Sequence, residues 1–482
     1  MKLSQLIEKI DIEAIQFEDC IIRGISEDSR QIKPGYLFFA VKGFQADGHN
    51  YIENAISKGA VAIIGTDRKA LKKAAEKGVT ALLTREIRKT EGIIAHRFFD
   101  KPSEKLKLIG ITGTNGKTTT SFILYNALKS AGFKTGLIGT VEYVTPNSRK
   151  KAERTTPPPI ELNALLKQMV DEGAEYVVME ISSHAVSLSR IEGLTFQGGV
   201  FTNLSPEHLD FYQNIYNYFL AKYGFLKYIN PEGFFLTNSD DFFGSVIEGT
   251  KTIHRFETIS YGRSGKLKIT EIKPIPNGTQ VKVTFKGKTF TLKTNLKGKY
   301  NAYNVTAAFG ALLKLGFENA EDYFKQITVP GRLEEIAPDI YIDYAHTPDA
   351  LENVLKTLKE IYPHKKLTVV FGCGGNRDKQ KRPLMGRIAS KIADRVIVTT
   401  DNPRFENPEE IIKNILKGCD LKKTKVIPDR KSAIETAIKE SSGVILIAGK
   451  GHEDYQEVRG KKYHFSDKEV ALEVIGEIKR DS

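Results

Sequence analysis

Short apolar runs alternate with longer stretches of helical periodicity along almost the whole chain. This alternation predicts strands that are followed by helices, and therefore α/β units built on mostly parallel sheets. Near the N-terminus the predicted strands are 21–25, 36–41 and 60–64, and the predicted helix is 51–58. In the middle of the chain the predicted strands are 106–112, 134–139, 175–181, 197–203 and 232–237, and the predicted helices are 117–130, 160–172, 214–228 and 299–315. In the last third the predicted strands are 340–343, 367–372, 395–400 and 443–448, and the predicted helices are 349–361, 409–417, 430–440 and 467–478.

The chain is long enough for about three domains of ordinary size. Residues 100–104 have the composition of a linker, and Pro330 and Gly331 mark a second break in the pattern. We therefore expect domains at 1–102, 103–329 and 330–482. Turn-forming residues at 276–278 and 286–288 predict hairpins within 265–294, on an edge of the central sheet.

The composition argues against a membrane-spanning protein and against a disulfide-stabilised secreted one. The 482 residues are 40% hydrophobic and 27% charged, and no apolar run approaches the roughly 18 residues that a membrane span needs. The three cysteines form no C-x-x-C pair, which favours a reducing cytoplasm over a disulfide framework. The formal net charge of +13 is spread over the chain, so anionic small substrates explain it as well as nucleic acid does. We expect a cytoplasmic monomer that binds neither nucleic acid nor membrane.

The strongest local motif is a phosphate-binding loop, Gly113-Thr114-Asn115-Gly116-Lys117-Thr118-Thr119. It follows the predicted strand 106–112 and opens the predicted helix 117–130. Glycines allow backbone N–H groups to approach phosphates, and a helix N-terminus favours negative charge. Lys117 can neutralise phosphate oxygens, and the Thr118 hydroxyl can ligate Mg²⁺. The loop departs from the strict G-x-x-x-x-G-K-[ST] pattern, because position 111 is Ile.

Polar groups follow two other strands. Glu180 ends an apolar strand, where a carboxylate can hold Mg²⁺, although an exposed acid at the end of a strand is the plain alternative. Ser205 and Pro206 predict the start of a helix, which would place His208 in its first turn. Lys222 lies in the predicted helix 214–228, and local spacing alone indicates only a solvated lysine.

Taken together, these motifs resemble those of the Mur ligases. The resemblance rests on GTNGKTT at 113–119, MEISSHA at 179–185, FTNLSPEHLD at 201–210, KYNAYNVTAA at 299–308, PGR at 330–332 and DYAHTPDAL at 343–351. Further matching segments are VKGFQADGHNYI at 41–52, TTPP at 155–158, FGCGGNRDKQKRPLMG at 371–386, DNPR at 401–404 and AGKGHEDYQ at 448–456. The resemblance covers essentially the whole chain. It implies an α/β fold of three domains: a small N-terminal domain that binds the UDP-muramoyl substrate, a central P-loop ATPase-like domain with a mostly parallel sheet, and a C-terminal Rossmann-like domain that binds the amino acid.

The resemblance also implies an activity and a nucleotide site. It implies an ATP-dependent ligase that adds meso-diaminopimelate to UDP-N-acetylmuramoyl-L-alanyl-D-glutamate through an acyl phosphate, in cytoplasmic peptidoglycan synthesis. Lys117, Lys222, His208 and Arg332 would be catalytic. ATP would contact residues 113–119, Asn301, Arg332 and Asp343, and Mg²⁺ would be held by Thr118, Glu180, His208 and a carbamylated Lys222. Carbamylation requires a neutral lysine amine, and therefore a depressed pKa.

For the two other substrates the resemblance implies two further groups of residues. The UDP-muramoyl dipeptide would contact Ser29, Phe44, Gln45, Ala46, Thr155, Thr156, Ser182 and Arg190. Diaminopimelate would contact Arg377, Asp401, Asn402, Pro403, Arg404, Gly449 and Glu453. Leu188 departs from the family pattern, which has a polar residue there, so one substrate hydrogen bond is in doubt.

The resemblance leaves alternatives open. A lysine-adding ligase is the nearest one, and Arg404 argues against it, because an arginine can clamp the distal carboxylate of diaminopimelate but repels the ammonium of lysine. Without the resemblance, 401–404 reads as a capped turn. A ligase like folylpolyglutamate synthetase and a non-catalytic nucleotide-binding partner protein are the remoter alternatives.

Overall fold

A computed structural model of the protein describes residues 1–44, 46–317 and 319–481. The residues in these ranges form three sheets of five or more strands and one separate hairpin. Helices cover the sheets, as the alternating pattern predicts, and the predicted α/β fold class is confirmed. Within the described ranges no helix has both the length and the apolar character needed to cross a membrane.

The N-terminal sheet has five strands in the order β1-β5-β4-β3-β2. All neighbouring pairs are parallel except β1–β5. Its elements are α1 (Leu3–Ile7), β1 (Glu13–Gln16), β2 (Gly24–Ser26), β3 (Tyr36–Phe39), α2 (Ile52–Ser57), β4 (Ala60–Gly65), α3 (Arg68–Glu76), β5 (Thr80–Leu83) and α4 (Ile87–Phe98). The strand predicted at 21–25 begins later, because Ile21 makes only an isolated bridge to Lys2.

The central sheet has eleven strands in the order β16-β15-β14-β13-β12-β11-β6-β10-β7-β8-β9. Its strands are β6 (Lys107–Thr112), β7 (Thr135–Ile138), β8 (Glu142–Val144), β9 (Arg149–Lys151), β10 (Tyr176–Glu180), β11 (Phe196–Phe201), β12 (Ile229–Asn238), β13 (Glu257–Gly262), β14 (Leu267–Ile275), β15 (Gly278–Phe285) and β16 (Lys288–Thr294). Its helices are α5 (Lys117–Ser130), α6 (Pro159–Asp171), α7 (Ser183–Ser187), α8 (Leu209–Tyr212), α9 (Ile215–Tyr223), α10 (Phe242–Gly249) and α11 (Lys299–Lys314). The seven strands β14, β13, β12, β11, β6, β10 and β7 are parallel to their neighbours. At one edge β14, β15 and β16 form the predicted hairpins, and at the other edge β7, β8 and β9 are antiparallel.

The C-terminal sheet has six strands in the order β17-β18-β22-β19-β20-β21, all parallel except the edge pair β17–β18. Its elements are β17 (Glu334–Ala337), β18 (Ile340–Asp343), α12 (Pro348–Ile361), β19 (Leu367–Phe371), α13 (Lys381–Ile392), β20 (Arg395–Val398), α14 (Pro408–Leu416), β21 (Thr424–Val426), α15 (Arg430–Glu440), β22 (Val444–Ala448) and α16 (Asp467–Asp481). The separate hairpin consists of β23 (Tyr455–Val458) and β24 (Lys461–His464).

Two further segments differ from the sequence-based expectations. The helix predicted at 214–228 ends at Tyr223 and continues as a 3₁₀ turn, Gly224–Tyr228. The expected linker at 100–104 is packed rather than loose, since Pro102 and Ser103 are buried and Ser103 Oγ lies 2.8 Å from His96 Nε2.

The order of the central strands brings three strand ends together. β10 and β11 lie on either side of β6, and Glu180 is level with Ile111. The loop that follows β6 therefore lies next to the residues that follow β10 and β11. The crevice at the carboxyl ends of such strands is where open α/β sheets bind ligands.

Candidate active site

The loop between β6 and α5 turns tightly over the N-terminus of α5. Gly113 and Gly116 have φ of 142° and 85°, conformations that residues with a side chain rarely adopt. A Cβ at Gly113 would clash with Thr202 Oγ1, and a Cβ at Gly116 would lie 2.6 Å from Asn304 Oδ1. Lys117 Nζ donates hydrogen bonds to the carbonyl oxygens of Gly113 (2.9 Å) and Thr114 (2.8 Å). The N-terminus of α5, the backbone N–H groups of the loop and the ammonium group of Lys117 therefore lie together, as a phosphate site requires.

The other predicted loop residues brace this turn. The Thr114 hydroxyl donates to Ser205 O (3.2 Å), and Asn115 N donates to Asn203 Oδ1 (2.9 Å). Thr119 is buried in the first turn of α5. The loop is thus held by the segment that follows β11.

Glu180 is fully buried at the end of β10 and faces the loop. Its Oε2 accepts hydrogen bonds from Thr118 Oγ1 and Thr140 Oγ1, each at 3.0 Å, and its Oε1 accepts one from Thr140 N (2.8 Å). The exposed strand-end acid considered from sequence is therefore excluded. A carboxylate beside a threonine hydroxyl offers the hard oxygen ligands that Mg²⁺ prefers.

Lys222 is buried against the same loop rather than solvated. Its Nζ donates to Gly113 O (2.7 Å), the carbonyl that also accepts from Lys117, and lies 4.6 Å from the centre of the Tyr218 ring. Burial, with the positive charge of Lys117, lowers the pKa of Lys222 well below its ordinary value. This is the neutral-amine environment that carbamylation requires. Carbamylation itself stays a prediction.

His208 does not lie in a helical turn, so that expectation is wrong. It adopts φ of 55° just before α8, and the helix begins at Leu209. The reason is that Ser205 N and Ser205 O are both bonded to the Thr114 hydroxyl, which ties the segment to the phosphate loop. The His208 ring packs at 4.9 Å from that of His184, and burial lowers the pKa of His208 to about 4. The imidazole is therefore neutral and able to act as a ligand at neutral pH.

Glu207 is a site residue that the sequence did not single out. Its carboxylate lies 3.8 Å from His208 Nε2 and 3.5 Å from His346 Nε2, and it accepts a hydrogen bond from Tyr218 OH (3.4 Å). Burial opposes ionisation, but the hydrogen bond with His346 and the positive charge of Lys117 help to lower the pKa of Glu207 below its ordinary value. The signal was the acid beside His208 in the segment 201–210.

The four predicted metal ligands fall into two neighbouring groups. Thr118 and Glu180 are hydrogen-bonded to each other, whereas His208 and Lys222 are linked through contacts with Tyr218. Among the described residues no three histidine, cysteine, aspartate or glutamate side chains are arranged to hold a metal ion. A metal here would therefore need the Thr118 hydroxyl or a modified Lys222 in its shell.

The C-terminal sheet contributes Arg332 to the phosphate loop. Arg332 Nη2 lies 3.3 Å from Thr118 Oγ1, and the guanidinium stacks 4.5 Å from the Tyr344 ring centre. Gly331 has φ of 64° and no room for a Cβ against His452 N. Further contacts between the two sheets are the ion pairs Lys151–Asp454 and Lys297–Glu335.

Two other predicted nucleotide residues act less directly. The Asp343 carboxylate is buried and accepts hydrogen bonds from Leu333 N (2.6 Å) and Ala345 N (2.7 Å), so both of its oxygens support the backbone beside Arg332. Asn301 accepts from Asn304 Nδ2 (3.0 Å), and Asn304 is the residue that faces Gly116. Asn304 belongs to the matching segment 299–308 but was not assigned to the site from the sequence alone.

The predicted dipeptide residues of the central sheet form one continuous network. Thr156 Oγ1 donates to Glu180 O (2.8 Å), and Arg190 Nη1 donates to Thr156 O (2.8 Å). Ser182 Oγ lies 3.4 Å from Thr156 Oγ1, and Thr155 Oγ1 lies 3.0 Å from Thr140 Oγ1.

The other residues predicted for this substrate belong to the N-terminal part of the chain. Ser29 is buried, and Ala46 O accepts from Gly43 N (2.8 Å). Phe44 is 78% exposed, and its ring lies 6.2 Å from that of Phe211. Gln45 lies outside the described residues. Leu188, half-buried at the end of α7, contributes a backbone bond to His184 O (2.9 Å).

The predicted acceptor residues gather at the carboxyl ends of β20 and β22. Asn402 Nδ2 donates to Glu453 Oε2 (3.0 Å), and Asp401 is buried with Oδ1 lacking a hydrogen-bond partner among the described residues. Gly449, with φ of 117°, would bring a Cβ to within 3.6 Å of Asp401 Oδ2. Pro403 O lies against Gly375, where a Cβ would clash with it.

The basic side chains of this pocket differ in how firmly they are held. Arg404 bonds to Glu457 Oε2 (3.1 Å) and to Gly375 O (2.8 Å). Arg377 is exposed, and its Nη1 donates to the carbonyl oxygen of the neighbouring Asn376 (3.4 Å). Lys450, which the sequence did not single out, is fully buried and donates to Asn402 Oδ1 (3.1 Å).

Three family models match successive parts of the chain, which together make up most of its length. Residues 21–98 match the family described as "Mur ligase family, catalytic domain", residues 111–312 match "Mur ligase middle domain", and residues 331–451 match "Mur ligase, glutamate ligase domain". The three matches correspond to the three sheets described above.

Curated relatives and solved structures agree with those matches. The chain is 43% identical to the UDP-N-acetylmuramoyl-L-alanyl-D-glutamate–2,6-diaminopimelate ligase of Aquifex aeolicus, over 94% of both chains. It is 43% identical to the ligase of the same name from Bacteroides fragilis, over 98% of this chain and 99% of that one. A solved structure with the same ligase name is similar with a TM-score of 0.69 and 28% identity over 99% of both chains. The fold also matches MurF ligase from Thermotoga maritima in complex with ADP, with a TM-score of 0.65, 20% identity, and 97% and 100% of the two chains covered.

Proposed function

Because the chain belongs to the Mur ligase family, we propose that it is the ATP-dependent ligase that joins meso-diaminopimelate to UDP-N-acetylmuramoyl-L-alanyl-D-glutamate. The observation that carries the proposal is the position of Arg332, which reaches from the C-terminal sheet to Thr118 in the phosphate loop. The relatives that are 43% identical over nearly the whole chain carry the name of this ligase, which supports the choice of substrates.

Activation of a carboxylate is the first chemical task. A carboxylate is a poor acyl donor, so transfer of the γ-phosphoryl group of ATP to the D-glutamate side-chain carboxylate would give an acyl phosphate and ADP. Lys117 and Arg332 would neutralise the charge that develops on the transferred group, and the N–H groups at the start of α5 would hold the remaining phosphates. Asn304 lies against the loop at Gly116 and would limit where the nucleotide can sit.

Thr118 and Glu180 fit Mg²⁺, because a hydroxyl and a buried carboxylate lie within hydrogen-bonding distance at the mouth of the loop. Bound Mg²⁺ would neutralise phosphate oxygens. His208, held neutral by burial, and a carbamylated Lys222 would complete the set of ligands. Thr140 bonds to both oxygens of Glu180 and would orient that carboxylate.

Amide formation is the second task. The free amine of diaminopimelate would attack the acyl carbon, and the tetrahedral intermediate would collapse to the amide with release of phosphate and of the amine proton. Asp401, Asn402 and Glu453 would hold the distal ammonium, and Arg404 would bind the distal carboxylate. The contacts between the central and C-terminal sheets favour a closed arrangement that excludes water from the acyl phosphate.

The test is substrate-dependent release of ADP and phosphate. We expect turnover only when ATP, UDP-N-acetylmuramoyl-L-alanyl-D-glutamate and meso-diaminopimelate are all present, with L-lysine a much poorer acceptor. Lys117→Ala should abolish turnover, while Lys129→Ala, an exposed lysine at the far end of α5, should not change it. Equal turnover with lysine, or undiminished turnover in the Lys117 variant, would overturn the proposal.

A further inference from the structure

Glu457 contacts Arg404 through both its backbone and its side chain, and Arg404 is the residue to which we assign acceptor selectivity. Its carbonyl oxygen accepts a hydrogen bond from Arg404 N (3.0 Å), and its Oε2 accepts one from Arg404 Nε (3.1 Å). Arg459 N then donates to Arg404 O (2.7 Å). The hairpin of β23 and β24 therefore holds both the backbone and the side chain of Arg404.

Arg404 requires such support because its backbone is in the left-handed region, with φ of 52°. That conformation is unfavourable for a residue with a long side chain and persists where neighbouring contacts impose it. The bridge between Arg404 and Val458 supplies those contacts. Glu457 is itself anchored, since its N–H donates to Asn402 Oδ1 (2.9 Å), within the acceptor pocket.

The pattern of bonds leaves one end of the guanidinium available. A guanidinium has about five N–H donors in a rigid fork. Arg404 uses Nε–H for Glu457 and one Nη1–H for Gly375 O, at 2.8 Å. The remaining donors on Nη1 and Nη2 make no hydrogen bond to any residue in the described ranges. They form the end of the fork, which matches the two oxygens of a carboxylate.

We propose that Glu457 is a positioning residue for acceptor selectivity, which fixes Arg404 so that the free end of its guanidinium meets the distal carboxylate of diaminopimelate. This inference rests on the proposed function. By occupying Nε, Glu457 prevents the guanidinium from turning its side edge to the substrate. Its negative charge also balances Arg404 in the pocket when no carboxylate is bound.

The alternative is an ordinary structural ion pair. Both side chains are about one-fifth exposed, at 19% and 22%. Such a pair contributes little to stability, and its loss would not act on one substrate alone. A separation of effects between substrates therefore distinguishes the two roles.

The experiment compares Glu457→Ala and Glu457→Gln with Glu440→Ala, which removes a carboxylate that pairs with Arg395 on the surface. Glu457→Ala removes the charge-assisted hydrogen bond that holds Nε of Arg404, so the guanidinium is no longer fixed toward the distal carboxylate. We therefore expect the KM for meso-diaminopimelate to rise by about tenfold. We expect kcat and the KM for ATP to stay within about twofold, and the preference for meso-diaminopimelate over L-lysine in kcat/KM to fall by about tenfold. Glu457→Gln keeps an acceptor for Nε without the charge, so it should lie between wild type and alanine.

The two proposals fail in different ways. A wild-type protein with no diaminopimelate-dependent ADP release refutes the proposed function. An active wild type whose Glu457 variants keep the wild-type KM and selectivity refutes the positioning role alone, as does a uniform loss of kcat and of every KM. Glu457→Gln preserves the shape of the side chain and carries the test by itself if the alanine variant does not fold.

Discussion

Removal of Arg332 is the perturbation whose effect follows most directly from the structure. The guanidinium is fixed by stacking at 4.5 Å from the Tyr344 ring centre and by its contact with Thr118 Oγ1 at 3.3 Å. Under the proposed function, the guanidinium is thereby held beside the terminal phosphate of ATP. Arg332→Ala removes that charge while leaving Lys117 and the loop backbone in place.

The size of the effect can be worked from this geometry. Two unit charges about 4 Å apart interact by about 4 kcal/mol at an effective dielectric constant of about 20. Each 1.4 kcal/mol or so of lost transition-state stabilisation costs about tenfold in rate, so kcat should fall by about 10³-fold. Arg332→Lys keeps the charge but loses the planar stacking on Tyr344, and should therefore fall between the alanine variant and wild type.

The assay is steady-state ADP release at saturating concentrations of all three substrates, with nucleotide binding measured separately. Arg395→Ala, which removes an arginine that pairs with Glu440 on the surface, serves as the matched control and should keep the wild-type kcat. A kcat for Arg332→Ala within about tenfold of wild type would show that the charge does not act on the transferred phosphate.

Three further predictions concern a modification, a buried ion pair and acid stability. Wild-type protein depleted of CO₂ and bicarbonate should lose activity and regain it when bicarbonate is added, whereas Lys222→Ala should be about 10- to 100-fold less active and unresponsive, as measured by ADP release. Arg430 donates from Nε and Nη2 to the Asp467 carboxylate, at 2.7 Å each. Asp467→Asn leaves Arg430 as a buried unpaired charge, so we expect the free energy of unfolding to fall by about 3–5 kcal/mol, as measured by calorimetry. Burial lowers the pKa of His96 to about 4, against an ordinary value of about 6.5. The free energy of unfolding should therefore be unaffected by this histidine above about pH 6.5 and should fall as the pH drops toward about 4. At about pH 5.5 the loss is about 1.4 kcal/mol, and His96→Gln should abolish it.

Matched controls keep these predictions separable. Glu473→Gln breaks an exposed pair with Lys431 and should change stability by less than about 1 kcal/mol. A loss of similar size in Asp467→Asn would contradict the buried-charge argument. His364→Gln, at an exposed position, should leave the pH dependence of the melting temperature unchanged. If His96→Gln gives the same pH dependence as wild type, the histidine is not the acid-sensitive group. Activity that is indifferent to bicarbonate would exclude the carbamate.

The sequence by itself determined the alternation of strands and helices and the phosphate loop, because both are local, although it did not predict several elements, among them α3, α4, β13 and α13. The apolar periodicity identifies strands and helices within a few residues, and the order strand, glycine-rich turn, Lys117 places the loop at a helix N-terminus before any tertiary contact is known. The edge hairpins were likewise predictable from their turn residues. At Ile21 and at Ser205 the expectation failed because a contact with Lys2 or Thr114 overrides local preference, whereas the helix predicted at 214–228 gives way to a 3₁₀ turn after Tyr223.

Only the tertiary structure decided which side chains meet at the loop. Lys222 lies 109 residues from Gly113 in sequence, and its spacing within α9 gives no sign that it is buried there. The contacts of Glu207 with His346 and of Arg332 with Thr118 depend on how the C-terminal sheet packs against the central one. The electrostatic environment of a side chain depends on burial and on neighbours that are distant in the chain. The lowered pKa of His208 and the hydrogen bonds between Glu457 and Arg404 therefore follow from packing, and no local sequence pattern predicts them.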